Sequence, residues 1–281
     1  MKAYIRNSIV IVLLSIGLYS CQKAEYVNSF SEFVDVYFDA DKTALRDNGT
    51  GVFIAARYNG NPIEWDVNLK KIKVVAGEGK FEFYDTRNGK VVAEKVIDVK
   101  PGSKETYTLF QPTMDAPVSF IDPSEQGTES PAPAGHIKVK VANYVQDLIP
   151  FENLDLKVFI SYFDADFNTV VEEVGTIKNV KNSIDQAEYH TLPDGLPTPL
   201  PEYAHNYVFE FVNGSTGQPL LNHGGTSYSN TALSPQGINP LPVKNIFTLY
   251  MISRKTWGEA PPFIKKGDTF YEIETNVLFA N

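Results

Sequence analysis

The sequence predicts an all-β protein of two tandem antiparallel β-sandwich domains, and three observations carry that expectation. Lys80-Phe81-Glu82-Phe83, His136 to Val141 and Glu272-Ile273-Glu274 alternate polar with apolar residues, the period of a half-buried strand. Asn-Gly pairs at 48-49, 59-60, 88-89 and 213-214 punctuate the chain as turns. Short runs also recur in order, as two copies of one unit would produce. The strand number and length in each copy suit an immunoglobulin-like sandwich.

The elements follow in chain order. Asp41 to Asp47 is the only stretch with helical character, a turn or two at most. Arg87-Asn88-Gly89-Lys90 lies between two strand-like runs and reads as a primed hairpin turn. Pro101-Gly102 suits the centre of a type II turn ahead of a strand from Thr106 to Phe110. Tyr37-Phe38-Asp39-Ala40-Asp41 recurs as Tyr162-Phe163-Asp164-Ala165-Asp166. Phe81-Glu82-Phe83 recurs as Phe209-Glu210-Phe211, and Tyr107-Thr108-Leu109-Phe110 is answered by Phe247-Thr248-Leu249-Tyr250. Between the copies, Pro117, Pro123, Pro131 and Pro133 with a polar run at 124–130 form a linker that excludes a central strand. The expected division is a signal peptide at 1–20, a tether at 21–27, domain one at 28–115, a Pro-rich linker at 116–134 and domain two at 135–281.

Composition narrows the function classes. The chain has 281 residues, 43% hydrophobic and 21% charged, which describes globular material with ample core. A formal charge of −9 argues against a partner held by a basic field, so nucleic acid is not expected. At the amino terminus Lys2 and Arg6 precede an apolar run from Ile9 to Leu18. That run is half the roughly 20 residues a bilayer span needs, so it reads as a secretion signal.

Leu18-Tyr19-Ser20-Cys21 resembles the lipobox of bacterial lipoproteins. The resemblance implies cleavage before Cys21, a diacylglycerol on its thiol and attachment to a membrane through that lipid. Gln22 after the Cys implies outer-membrane sorting, with the face left open. Several acyl chains at about 0.8 kcal/mol per methylene anchor stably where one does not. Loss of Lys2 and Arg6 takes the formal charge from −9 to −11.

Val34-Asp35-Val36-Tyr37, then Val75-Ala76-Gly77 leading into Lys80 to Asp85, then Lys100-Pro101-Gly102 and Tyr107-Thr108-Leu109 are similar to a bacterial envelope β-sandwich domain of unknown function. That domain often stands in tandem behind a lipobox. The resemblance implies fold and location and transfers no site.

Catalytic and metal signatures are weak. Asp164, Asp166 and Asn168 have calcium-loop spacing, but Thr169 and Gly175 stand where the loop needs Gly and a bidentate Glu. His136, His190, His205 and His223 form no zinc motif, and the one Cys is spent on lipid. No metal or cofactor is expected. Trp65 and Trp257 read as core residues in preference to sugar platforms. Two loops of the second copy remain: Pro193 to Asn206, extended and solvent-facing by its prolines, and Leu221 to Pro242, which holds twelve residues more than the first copy spends there. Loops on a rigid sandwich collect recognition residues. Tyr203, His205, His223 and Tyr228 are therefore the candidate ligand-binding residues, forming one patch if both loops share an end. The expected protein is a non-catalytic cell-envelope lipoprotein, a module that binds a glycan or a protein partner. The alternative is a structural or fimbrial-type subunit.

Overall fold

The computed structural model describes residues 32–47, 51–64, 71–102, 106–121, 129–195, 205–234, 244–260 and 262–281. The signal, Cys21, the tether, Trp65 and Tyr203 lie outside the described residues. The first copy runs through β1 (Phe33–Thr43), β2 (Arg46–Asp47), β3 (Gly51–Val52), β4 (Ile54–Tyr58), β5 (Asn61–Ile63), β6 (Lys71–Val75), β7 (Gly77–Asp85), β8 (Val91–Val99), β9 (Thr106–Gln111) and β10 (Ser119–Ile121). The second runs through β11 (His136–Asn143), β12 (Leu154–Phe163), β13 (Thr169–Ile177), β14 (Tyr189–Pro193), β15 (Asn206–Asn213), β16 (Ser229–Leu233), β17 (Ile246–Lys255), β18 (Ile264–Lys266) and β19 (Thr269–Ala280).

Each copy is a sandwich. The first faces the sheet β10-β9-β1-β6 with β5-β4-β7-β8, and the second faces β14-β11-β17-β19-β18 with β13-β12-β15-β16. Alternation along β7 sends Phe81 and Phe83 inward, where they meet Phe38 of the opposite sheet at 4.9 and 5.0 Å between ring centres. Burying such side chains is worth about 1.5–3 kcal/mol each, which is the force that closes the two sheets. Leu156, Val158, Phe209, Phe211 and Leu249 fill the second core in the same way. Among the named strands one pair per sandwich is parallel, β1 with β9 and β11 with β17, and the other pairs are antiparallel.

Strand register fixes the repeat. Phe38 stands opposite Tyr107 as Val139 stands opposite Phe247, and Ala56 opposite Phe83 as Leu156 opposite Phe211. The recurrences at Phe209 and Phe247 are therefore genuine equivalences. The recurrence at Tyr162 is not, because those residues end β12 and open its turn while Tyr37 to Asp41 belong to β1. The counterpart of β1 is β11, whose sequence shares only its alternation. The backbone bonds of the hairpin after β7 recur after β15. Asp85 O accepts Gly89 N–H at 2.7 Å and Asn213 O accepts Gly217 N–H at 2.7 Å, while the side chains of Asp85 and Asn213 each cap the N–H two residues on at 2.9 Å.

Three local expectations change. Positive φ at 86–90 occurs at Gly89 alone, so that loop is not a primed two-residue turn; Asn59 and Gly60, at φ 49° and 79°, make one instead. The stretch from Asp41 to Asp47 is not helical, since β1 runs on to Thr43 with Gln111 of β9 opposite and β2 follows. Pairing with β9 overrides its local character. Finally, β10 lies within 116–134, placing Phe120 5.5 Å from Phe83, so the first sandwich runs through Ile121. As the prolines demand, β10 is an edge strand.

The sandwiches touch through Phe110, Tyr250 and Leu278, with Phe110 5.0 Å from Tyr250 and 5.9 Å from Tyr144. Phe83→Ala is expected to cost the first sandwich about 3–5 kcal/mol. Hydrogen exchange should show it as lost protection in β1, β4 and β7, with β12 and β15 still protected. Equal loss in all five strands would mean that the two cores open as one.

Candidate functional site

The candidate residues His205, His223 and Tyr228 do not form one patch. His205 enters β15 at its start, and the segment carrying His223 and Tyr228 leaves from its finish; eight residues of strand, roughly 23 Å, lie between. His205 is 4% exposed, its ring 5.7 Å from Tyr207 and close enough to Gly195 that a Cβ there would stand 2.6 Å from Cε1. Its Nε2 has no partner among the described residues, and burial holds its pKa below the usual imidazole value. His205 is thus a packing residue where a solvent-facing one was expected. Tyr228 is 3% exposed, packs on Phe211 at 5.4 Å, and has its hydroxyl pushed up to about 12 by burial. Although its ring is buried, it is one of the residues that line the cleft between β16 and β19. His223 is partly exposed and braces loops: Nε2 lies 2.7 Å from Glu259 Oε1, its N–H donates to Phe263 O at 2.7 Å, and its ring meets Phe270 edge-on at 5.0 Å.

What Tyr228 does opens the candidate site. From Glu272 onward β19 pairs with β17 on one edge, while no described strand pairs with the other. A backbone left so would cost one to several kcal/mol per buried group. The Tyr228 hydroxyl accepts Ile273 N–H at 2.7 Å and donates to Ile273 O at 3.3 Å. Asn230 Nδ2 donates to Ile273 O at 2.8 Å and to Thr275 Oγ1 at 3.0 Å. Side chains of one sheet thus take the place of a strand at the rim of the other.

The two sheets stop short of each other there, leaving a cleft of about 520 Å³ between β16 and β19. Tyr228 and the β16 residues Ser229 to Thr231 form one wall, Glu272 to Asn276 the other, with Pro262 and Phe263 at one side. Arg254 holds both acids, through Nη2 to Glu272 at 3.0 Å and Nε to Glu274 at 2.7 Å. The buried Asn230 Oδ1 has no partner among the described residues.

Beyond Phe263 the loop joining β17 to β18 carries Trp257, fully exposed at 105%. A large aromatic buries about 150–250 Å² in a core, so exposure forgoes about 4–6 kcal/mol. The expectation that Trp257 is a core residue is therefore wrong. A second concavity, about 310 Å³, lies where the sandwiches meet and is lined by Asp41, Lys42, Gln111, Thr113, Tyr250 and Ser253. Among the described residues no group of three or more His, Cys, Asp or Glu is placed to hold a metal. Asp164 turns on its own loop, Oδ1 accepting the N–H of Asp166 at 2.9 Å and of Asn168 at 2.8 Å; these bonds keep its carboxyl below the usual range.

No protein-family model and no curated protein matches the chain. Two solved structures align over 78% of it. One, on α-glucan binding by a streptococcal virulence factor, is covered over 93% of its chain at 13% identity and TM-score 0.23. The other, on α-glucan recognition by family 41 carbohydrate-binding modules from streptococcal virulence factors, is covered over 94% at 11% identity and TM-score 0.20. Superpositions of this quality do not establish a common fold.

Two outcomes follow from the buried residues. Tyr228→Phe leaves Ile273 N–H without its acceptor and is expected to lower stability to urea by about 1–3 kcal/mol; an unchanged midpoint would mean that the rim does not depend on that hydroxyl. His190 and His205 are both held low by burial, so the unfolded chain takes up protons first as pH falls. Stability should be level above about pH 6.5 and fall below it. His205→Leu should make the fall shallower, whereas an identical pH profile would remove His205 from it.

Proposed function

We propose that the second sandwich is a non-catalytic carbohydrate-binding module that takes a glycan in the cleft between β16 and β19. The observation that carries the reading is the composition of the cleft walls. A sugar presents closely spaced hydroxyls, each able to donate and accept, around an apolar ring face. Glu272 and Glu274 supply carboxylate acceptors, Asn230 and Asn276 amides, and Ser229 and Thr231 hydroxyls, while Phe263 and Pro262 offer apolar surface. A purely apolar ligand would strip water from the two carboxylates without replacing it.

Binding without turnover is the simpler chemistry. Glycoside hydrolysis sets two carboxyl groups on opposite sides of the scissile bond. Here Glu272 and Glu274 stand two residues apart on one strand and one wall, and both are engaged by the same guanidinium. In this reading the module is tethered at the outer membrane by lipid on Cys21, and the first sandwich spaces it from the anchor.

The test is a glycan array probed with the full chain in a sugar-free detergent, followed by calorimetry on the glycan that binds. Glu274→Ala and Asn276→Ala should each weaken it about tenfold or more, a loss of ~1.4 kcal/mol, with the melting temperature nearly unchanged. Array binding that both variants retain would move the site elsewhere. For the anchor, palmitate should label the wild type and not Cys21→Ala; a protein that never labels is not a lipoprotein.

A further inference from the structure

The loop that carries Trp257 is braced on both sides of the indole. Ahead of it, Thr256 N–H donates to Phe270 O at 3.0 Å, and the Thr256 hydroxyl lies within donating distance of Phe270 O and Gly258 O, each 3.2 Å away. Behind it, Glu259 takes His223 Nε2 at 2.7 Å, Phe263 N–H donates to Ala260 O at 3.0 Å, and Phe263 O accepts His223 N–H at 2.7 Å. A fully exposed indole is thus presented by a fixed loop, and an apolar plane held in water in that way is made for a face that stacks on it.

The same loop ends in Pro262 and Phe263, which line the cleft. Phe263 is six steps along the chain from Trp257, so the two lie within about 20 Å of each other even at full extension. That is a distance a few linked sugar rings bridge. The charge around the path is also specific. The cleft holds two carboxylates against the one guanidinium of Arg254, while Lys255 and Glu259 stand two residues to either side of the indole and offset each other. Of the lysines on β18, Lys266 is engaged by Asp147 at 2.8 Å and Lys265 lies over the Phe270 ring at 5.3 Å. A uronic acid or sulfated sugar would meet repulsion in the cleft that a neutral one does not.

Resting on the glycan reading of the cleft, we infer that the site takes an extended, uncharged oligosaccharide, one end held in the cleft between β16 and β19 and its continuation stacked on Trp257. The experiment compares wild type, Trp257→Ala and Glu274→Ala as full chains in a sugar-free detergent. Each is titrated calorimetrically with neutral hexasaccharides of glucose, mannose and xylose, with the matching disaccharides, and with hexagalacturonate. The expected result has three parts. A neutral hexasaccharide binds at least tenfold more tightly than hexagalacturonate, Trp257→Ala weakens it about tenfold, and the matching disaccharide binds wild type and Trp257→Ala alike. Hexasaccharide affinity unchanged in Trp257→Ala, or hexagalacturonate bound as tightly as the neutral chains, overturns this inference. The cleft reading survives that outcome if Glu274→Ala still loses the disaccharide. Wild-type protein that binds none of the neutral sugars ends both.

Discussion

The second sandwich depends on how the open edge of β19 is satisfied. A strand edge inside a protein must find partners for its N–H and C=O groups or pay for leaving them dry. At Ile273 both groups are met by side chains of the opposite sheet, the Tyr228 hydroxyl and the Asn230 amide. The substitution has two consequences. It ties the two sheets together across their rims, and because side chains replace a strand, it leaves a cleft where a strand would have lain. The polar residues that line this cleft belong to the same short segments that make the tie, so stability and the proposed recognition draw on one stretch of chain.

The first sandwich shows the contrast. Its counterpart to this rim lies between β8 and β10, and β10 is only three residues long. Phe120 folds inward to meet Phe38 at 6.5 Å and Phe83 at 5.5 Å, with Lys95 Nζ 5.9 Å from its ring. An aromatic plug closes there what a hydroxyl and an amide hold open in the second copy. Twelve residues of β19, with the loop that precedes β18, build the cleft walls in the second copy, where β10 of the first is three residues long.

Much of the fold was legible because strand periodicity is a local signal. Phe81 and Phe83 alternate with charged neighbours, and register then aligns Phe83 with Phe211 and Tyr107 with Phe247 as the short recurrences indicated. The identity between Tyr37-Phe38-Asp39-Ala40-Asp41 and Tyr162 to Asp166 misled, since five matching letters carry no register and the true partner strand, β11, kept only the alternation. The site was less legible. Asn230 and Ile273 meet across 43 residues of sequence, and no local pattern joins them. Tyr228 and His205 sit in polar, turn-rich sequence yet are buried, Tyr228 because the backbone of Ile273 needs its hydroxyl and His205 because its ring packs against Tyr207 and over Gly195. Trp257 stands among Thr, Gly and Glu, a signal of exposure that the general preference of large aromatics for cores outweighed.

The central claim is that the cleft between β16 and β19 is where a glycan sits. It is tested most directly by backbone amide chemical shifts recorded on the full chain as the array-identified glycan is added. The account predicts that the shifts concentrate at Ser229 to Thr231 and Ile273 to Asn276, spreading to Trp257 with longer chains. Shifts concentrated at Asp194 to Asn206, at the other end of β15, or in the first sandwich would contradict it.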